Sequence, residues 1–428
     1  MASLSPAAVL PELGVRAAVA LAAAAVVLTA TACSGSGGDD AQQSQDPASE
    51  ATTVAGAAGP AAPGVYDQRV VFGQSAAFSG PAQELGRNMQ IGIQAAFHEA
   101  NQRGGVHGRL LELSSLDDAY EPEAAIANTL QLIEEDVFAL IGAVGTPTSR
   151  SAVPVAESAG VPYIAPFTGA QLLRAPELDY VLNLRASYYQ ETEEMVERLT
   201  QDLGIDRIAV MYQDDSYGRA GLRGVELALE RRGSEPVAVG VYTRNTTAVK
   251  TALLDLQAGA PQAVIIIGAY RPVAALVSWA RYTGLDPVFM TVSFVGSNAL
   301  ADELGPSGEG VYVTQVVPFP TDDTLPVVST YLDALAAYAP DAVPGFVSLE
   351  GYLAGRLVIA GLERCGREVD RACFLDSVLR GDAIDIDGFQ LRYGAGDNQN
   401  QGSDAVFLTV IGPDGEYHPV GTMGNREP

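Results

Sequence analysis

Two small-residue loops in this chain set hydroxyls where free backbone N–H groups gather. The first is Ser75-Ala76-Ala77-Phe78-Ser79-Gly80, between a strand pattern at Val70–Gln74 and a long helix that stops at Gly104-Gly105. The second holds Thr148 and Ser149, just ahead of the helical pattern of Ala152–Ala159. A hydroxyl beside the unpaired N–H groups of a helix start suits an anion such as a carboxylate. That chemistry captures a small molecule without transforming it. No HExxH, Walker A, GxGxxG or GxSxG pattern stands in the chain. His98, in the helix QAAFHEAN, reads as a packed or surface histidine. The expectation is therefore a binding protein and not an enzyme, with no cofactor.

The elements that position these loops alternate. Strand patterns at Val70–Gln74, Leu110–Ser115, Ala139–Val144, Tyr163–Pro166 and Tyr180–Leu184 form one group. A second group is Ile208–Tyr212, Val237–Tyr242, Ala263–Gly268, Val288–Val292 and Val311–Val317. Helical patterns lie between them, and Pro122 opens one. Runs such as Ala263-Val-Ile-Ile-Ile-Gly268 are apolar throughout, which suits a parallel sheet covered on both faces. The fold class is α/β, in two doubly wound lobes. Pro318-Phe319-Pro320 breaks the rhythm, helices follow (Pro326–Tyr338, Ser348–Arg364), and strands at Phe389–Tyr393 and Ala405–Ile411 come last. Ligands of open α/β sheets bind at the carboxyl ends of strands, which here face a cleft between lobes.

The formal charge of −27 over 428 residues argues against nucleic acid, which requires a basic footprint. Arg16 and the apolar run Ala17–Leu28 read as a targeting signal, too short for a membrane span. It ends in Ala30-Thr31-Ala32-Cys33, which resembles a bacterial lipobox. Cys33 would then carry a diacylglycerol and anchor the protein to a membrane surface. Residues 1–33 are read as signal and lipobox, and 34–66, rich in Ser, Gly, Ala and Gln, as a disordered tether. Cys365 and Cys373 sit either side of a helix stop at Gly366 and a helix start at Asp370. An exported chain allows a bridge between them, with two buried free thiols as the alternative. A metal site is not expected, because the three histidines (His98, His107, His418) lie far from either cysteine in sequence.

Several motifs together are similar to the type I periplasmic binding proteins, in particular the leucine/isoleucine/valine-binding group that serves ABC importers. The carriers are Ser79-Gly80-Pro81, Asn101–Arg109, Asp117-Asp118, Gly142–Ser149, Gly160–Pro166, Gln213–Gly218 and Gly268-Ala269-Tyr270. The resemblance implies two lobes that close on a ligand about a hinge of three crossovers, near Arg185, Pro318 and Gly394–Gln401. Residues 67–186 and 318–395 would form lobe 1, and 187–317 and 396–424 lobe 2. It implies a carboxylate held on lobe 1 by Thr146, Thr148, Ser149, Phe167, Thr168 and Gly169, beside the Ser79 hydroxyl that the first loop itself offers. Tyr217 and Tyr270 would close over the ligand from lobe 2. Where branched-chain binders carry an acid for the ligand ammonium, this chain has Ser293. Leu85 stands in place of the first loop's aromatic residue. Asp214 or Asp215 could supply a displaced acid, or the ligand could lack an amino group; Arg271 could face an acidic ligand. The implied partners are a small carboxylate-bearing ligand, an ABC permease and the membrane through the lipid. A monomer is the family expectation, and a ligand-sensing lipoprotein that signals to a membrane partner is the rival reading.

Overall fold

The computed structural model of the chain describes residues 62–394 and 398–424; Cys33 and most of the expected tether lie outside them. Its first sheet is made of β1 (Arg69–Ala76), β2 (Leu110–Asp117), β3 (Ala139–Ile141), β4 (Tyr163–Ile164) and β5 (Val181–Leu182). They are parallel and run in the order β2-β1-β3-β4-β5. Helices α1 (Gln83–Gln102), α2 (Pro122–Glu134) and α3 (Thr146–Ser158) connect them.

From β5 the chain passes through Arg185 into α4 (Tyr188–Gln201), which opens on a capping box between Ser187 and Gln190. The second sheet begins with β6 (Ile208–Gln213), β7 (Val239–Tyr242), β8 (Ala263–Ile267), β9 (Val288–Thr291) and β10 (Val311–Gln315). Between these strands lie α5 (Ser216–Glu230), α6 (Lys250–Ala258), α7 (Tyr270–Tyr282) and α8 (Ser297–Leu304). Every residue of β8 is buried, as a strand covered on both faces requires.

The chain then returns to pack α9 (Pro326–Tyr338) and α10 (Phe346–Cys365) on α1. The contact is close because Gly92 has no side chain: a Cβ there would stand 2.0 Å from the Ser348 carbonyl oxygen. After α11 (Arg371–Leu379), a hairpin of β11 (Ile384–Ile386) and β12 (Phe389–Leu391) stands apart from both sheets. β13 (Phe407–Ile411) and β14 (Tyr417–Pro419) add antiparallel strands beside β10, giving β14-β13-β10-β9-β8-β6-β7. Cys365 and Cys373 are joined in a disulfide across the turn from α10 to α11, and Asp370 caps α11 by accepting from the Cys373 N–H.

Each sheet reverses its strand order once, at β1/β3 and at β6/β8. Loops leaving neighbouring strands at such a point part in opposite directions and open a crevice. The Ser79 and Thr146–Ser149 segments leave the first reversal; Asp214–Tyr217 and Gly268–Tyr270 leave the second. Local backbone differs from expectation at one of these. β3 ends at Ile141 and α3 begins at Thr146, so Thr148 and Ser149 lie inside its first turn, not ahead of it. Gly142 (φ 63°) and Gly145 (φ 104°) turn the chain out of the strand, and Pro147 presets the first helical turn.

Candidate functional site

The Ser79 loop holds a carboxylate, and it is the chain's own. Asp117 accepts from the N–H groups of Phe78 (2.8 Å), Ser79 (3.2 Å) and Ala119 (2.9 Å). Ser79 itself is exposed, and the Phe78 and Ser79 N–H groups are taken by Asp117. The next residue, Asp118, is buried, accepts from Ser75 and the Tyr120 N–H, and is pushed up to about 6 by burial. This pair turns the chain through two left-handed residues, Ala119 (φ 48°) and Tyr120 (φ 64°). That strained turn sends the Tyr120 ring toward the second lobe, where its hydroxyl accepts from Gln213 (3.3 Å).

At the start of α3, Thr146 and Thr168 share a hydrogen bond of 2.7 Å, both fully buried. The Thr148 hydroxyl donates back to the Val144 and Gly145 carbonyls. Ser149 accepts from Tyr163 (3.2 Å) in the first-lobe core. Thus Thr146 and Thr168 are brought together, while Thr148 and Ser149 are engaged by their own lobe. Gly169 lies under Tyr188: a Cβ there would meet the ring at 2.6 Å. The Tyr188 hydroxyl lies beside Thr168.

Aromatic rings from the two sheets meet here. Phe294, in the turn Ser293–Val295 after β9, is 5.4 Å from Phe167, 4.5 Å from Tyr217 and 6.0 Å from Tyr120. Tyr217 also faces Tyr188 at 5.5 Å and donates to the Gly268 carbonyl. Tyr270 is buried nearer the rim, where Leu85 comes over Gly296 beside its ring. A cavity of ≈390 Å³ opens alongside, between Pro81 and Tyr120 on one side and Gln213, Asn245 and Arg271 on the other. Its size suits a small molecule.

Below the rings is a buried charged group. Arg185 stacks over Phe167 at 4.7 Å and faces Glu191 and Glu350, each at 3.6 Å. Glu191 accepts from the Ser293 N–H (2.8 Å), the Ser293 hydroxyl (3.0 Å) and the Thr314 hydroxyl (2.6 Å). So the acid that Ser293 lacks reaches that place from α4. Asp214 stands outside: it is over half exposed and paired with Arg219. Asp215 caps α5, accepts from Gln213, and is raised by burial. Burial acts to lower Arg185, but Glu350 and Glu191 outweigh it and hold it above the usual arginine range. Burial pushes Glu350 up to about 7.

Arg185, Glu191, Glu350, Tyr120, Tyr188 and Phe294 are not among the residues the sequence singles out for this site. Two carry a visible signal. Glu191 falls on the buried stripe of α4 with Tyr188, Met195 and Leu199, and Glu350 is the one acid in Val347–Gly355, where every side chain is buried. An acid on a buried stripe requires a partner.

Residues 69–416 match the family model described as periplasmic binding protein. The chain belongs to that family. A leucine/isoleucine/valine-binding protein homologue of Brucella abortus is 26% identical over 398 residues, covering 86% of this chain and 95% of that one. The Leu/Ile/Val-binding protein of Escherichia coli K12 is 24% identical over 70% of this chain and 80% of its own. Among solved structures, a possible leucine/isoleucine/valine-binding protein from Rhodopirellula baltica is 40% identical. It superposes with a TM-score of 0.78, over 82% of this chain and 96% of that one. As a periplasmic binding protein, this chain is a non-enzymatic, extracytoplasmic solute receptor with the two-lobed type I fold.

Proposed function

We propose that this periplasmic binding protein serves an ABC importer of the branched-chain amino acid type, is anchored by a lipid on Cys33, and captures a small carboxylate-bearing solute between its lobes. The observation that carries the reading is the meeting of Phe167 with Phe294, 5.4 Å apart, one from each sheet. Each ring follows a strand's carboxyl end and is covered by the opposite lobe, so opening the lobes exposes an apolar chamber. The polar side of that chamber is the Thr146–Thr168 pair at the start of α3, where N–H groups and hydroxyls favour an anion. Tyr217 closes the chamber from the second lobe, and Tyr270 lies nearer its rim. Asp214 and Ser79 lie outside it. The named relatives that bind leucine, isoleucine and valine support the class of solute.

A thermal-shift screen of the chain tests this, with branched-chain amino acids, aliphatic and aromatic acids, and the matching amides. A solute at about 1,000 times its dissociation constant adds roughly 4 kcal/mol, enough to move the midpoint by several degrees. Shifts confined to carboxylates support the reading, and equal shifts by the amides refute it. Cys33→Ser should release the chain from the membrane fraction.

A further inference from the structure

All three nitrogens of the Arg185 guanidinium are buried, and none has a hydrogen-bond acceptor among the described residues. The carboxylates of Glu191 and Glu350 come to 3.6 Å, beyond ordinary hydrogen-bond range. Glu191 is already held by Ser293 and Thr314. The neighbouring buried arginine, Arg174, is bonded to Gln401 and to the carbonyls of Ala170 and Arg185. Arginine has five N–H donors and keeps its charge, so a buried fork with no acceptor is a costly arrangement that calls for a missing partner. The fork lies on the Phe167 ring, with Tyr188 and Tyr217 close enough to act on its charge.

We propose that Arg185 takes the solute's carboxylate and that Glu350 accepts a proton as it arrives; this rests on the carboxylate-capture reading. A planar carboxylate matches the guanidinium fork with two parallel hydrogen bonds, supplying the charge that Thr146 and Thr168 lack. Phe167, Phe294, Tyr188 and Tyr217 surround the remainder, so the solute class is a small acid with an apolar or aromatic body.

The charges around Glu350 are Arg185, Arg174 and Glu191. With Glu350 neutral, two arginines against one glutamate leave one positive charge, which the incoming carboxylate cancels. With Glu350 ionised the sum is zero, and the same carboxylate would leave a buried negative charge. A second anion therefore raises the proton affinity of Glu350 further, and capture draws a proton from solvent. Affinity then falls as pH rises through the neutral range.

The test is isothermal titration of the full chain at pH 6 and pH 8 with leucine, 4-methylpentanoate, phenylacetate and 4-methylpentanamide. The wild-type chain should bind a carboxylate, with the amide about 100-fold weaker or worse. Arg185→Gln should lose about 100-fold for the acid. Wild-type affinity for the acid should drop about tenfold from pH 6 to pH 8, and Glu350→Gln should flatten that drop. If Arg185→Gln folds poorly, Arg185→Lys keeps the charge without the fork, and a loss of about tenfold supports the assignment. Undiminished acid binding by the folded variant, Gln or Lys, overturns Arg185 as the carboxylate residue and leaves capture standing. A wild-type chain that takes none of the three carboxylates, or binds the amide as well, overturns the capture reading and this inference with it.

Discussion

The Ser293 N–H and hydroxyl both donate to one carboxylate, that of Glu191, at 2.8 and 3.0 Å. Ser293 follows β9 and Glu191 lies in α4, so this contact ties the first helix after the crossover to the floor of the cleft. Glu191→Gln removes a buried charge from beside Arg185 and turns an amide N–H₂ toward donors. It should cost about 3 kcal/mol or more in urea unfolding, as breaking a buried pair does. Asp214→Asn, at an exposed pair, should stay within about 0.5 kcal/mol of wild type.

Glu350 gives stability a definite pH dependence. Its folded pKa, about 7, lies above the ordinary glutamate value, so the folded chain keeps a proton that the unfolded chain releases. Stability from this group is full below the unfolded value, falls as pH rises between the two, and is flat above about 7. Glu350→Gln imitates the protonated form. It should match wild type near pH 4 and exceed it at pH 8 by about 3 kcal/mol, measured by urea unfolding at both.

Arg244, after β7, donates to Glu121, between β2 and α2, at 2.6 Å, and Asn245 donates to the same carboxylate at 2.7 Å. These bonds join the loop after β7 in the second lobe to the segment after β2 in the first. Glu121 is nearly half exposed, so the pair contributes about 0.5–1 kcal/mol. Arg244→Ala should leave unfolding almost unchanged and speed solute release about threefold in stopped-flow dissociation, an effect that high salt reproduces in the wild type.

Gly92 allows α1 and α10 to touch along their backbones. Gly92→Ala gains helix propensity but places a methyl 2.0 Å from the Ser348 carbonyl. The clash should win, with a net loss of about 2 kcal/mol by thermal unfolding. Because α10 carries Glu350, the same variant should also weaken solute binding.

Much of the fold was legible because its signals are local. Ala263-Val-Ile-Ile-Ile267 announces a strand covered on both faces, Pro326 starts a helix, and Gly366 and Asp370 punctuate the turn that the Cys365–Cys373 bridge spans. The loops at the strand ends follow from that alternation, whereas Thr146, Phe167, Thr168 and Tyr217 were pointed to by the family resemblance and not by periodicity. The state of each side chain did not. Whether the Ser79 loop faces a ligand or Asp117, and whether Asp214 or Glu191 stands at Ser293, depends on which loops the lobes bring together. Periodicity and turn chemistry act between near neighbours, so they placed most of the strands and helices and the strand ends at which a cleft opens, but not the short β11 and β14. That Arg185, Glu191 and Glu350 share one buried site follows from the folded arrangement alone, because burial and charge pairing act through space between the β5–α4 connection, α4 and α10.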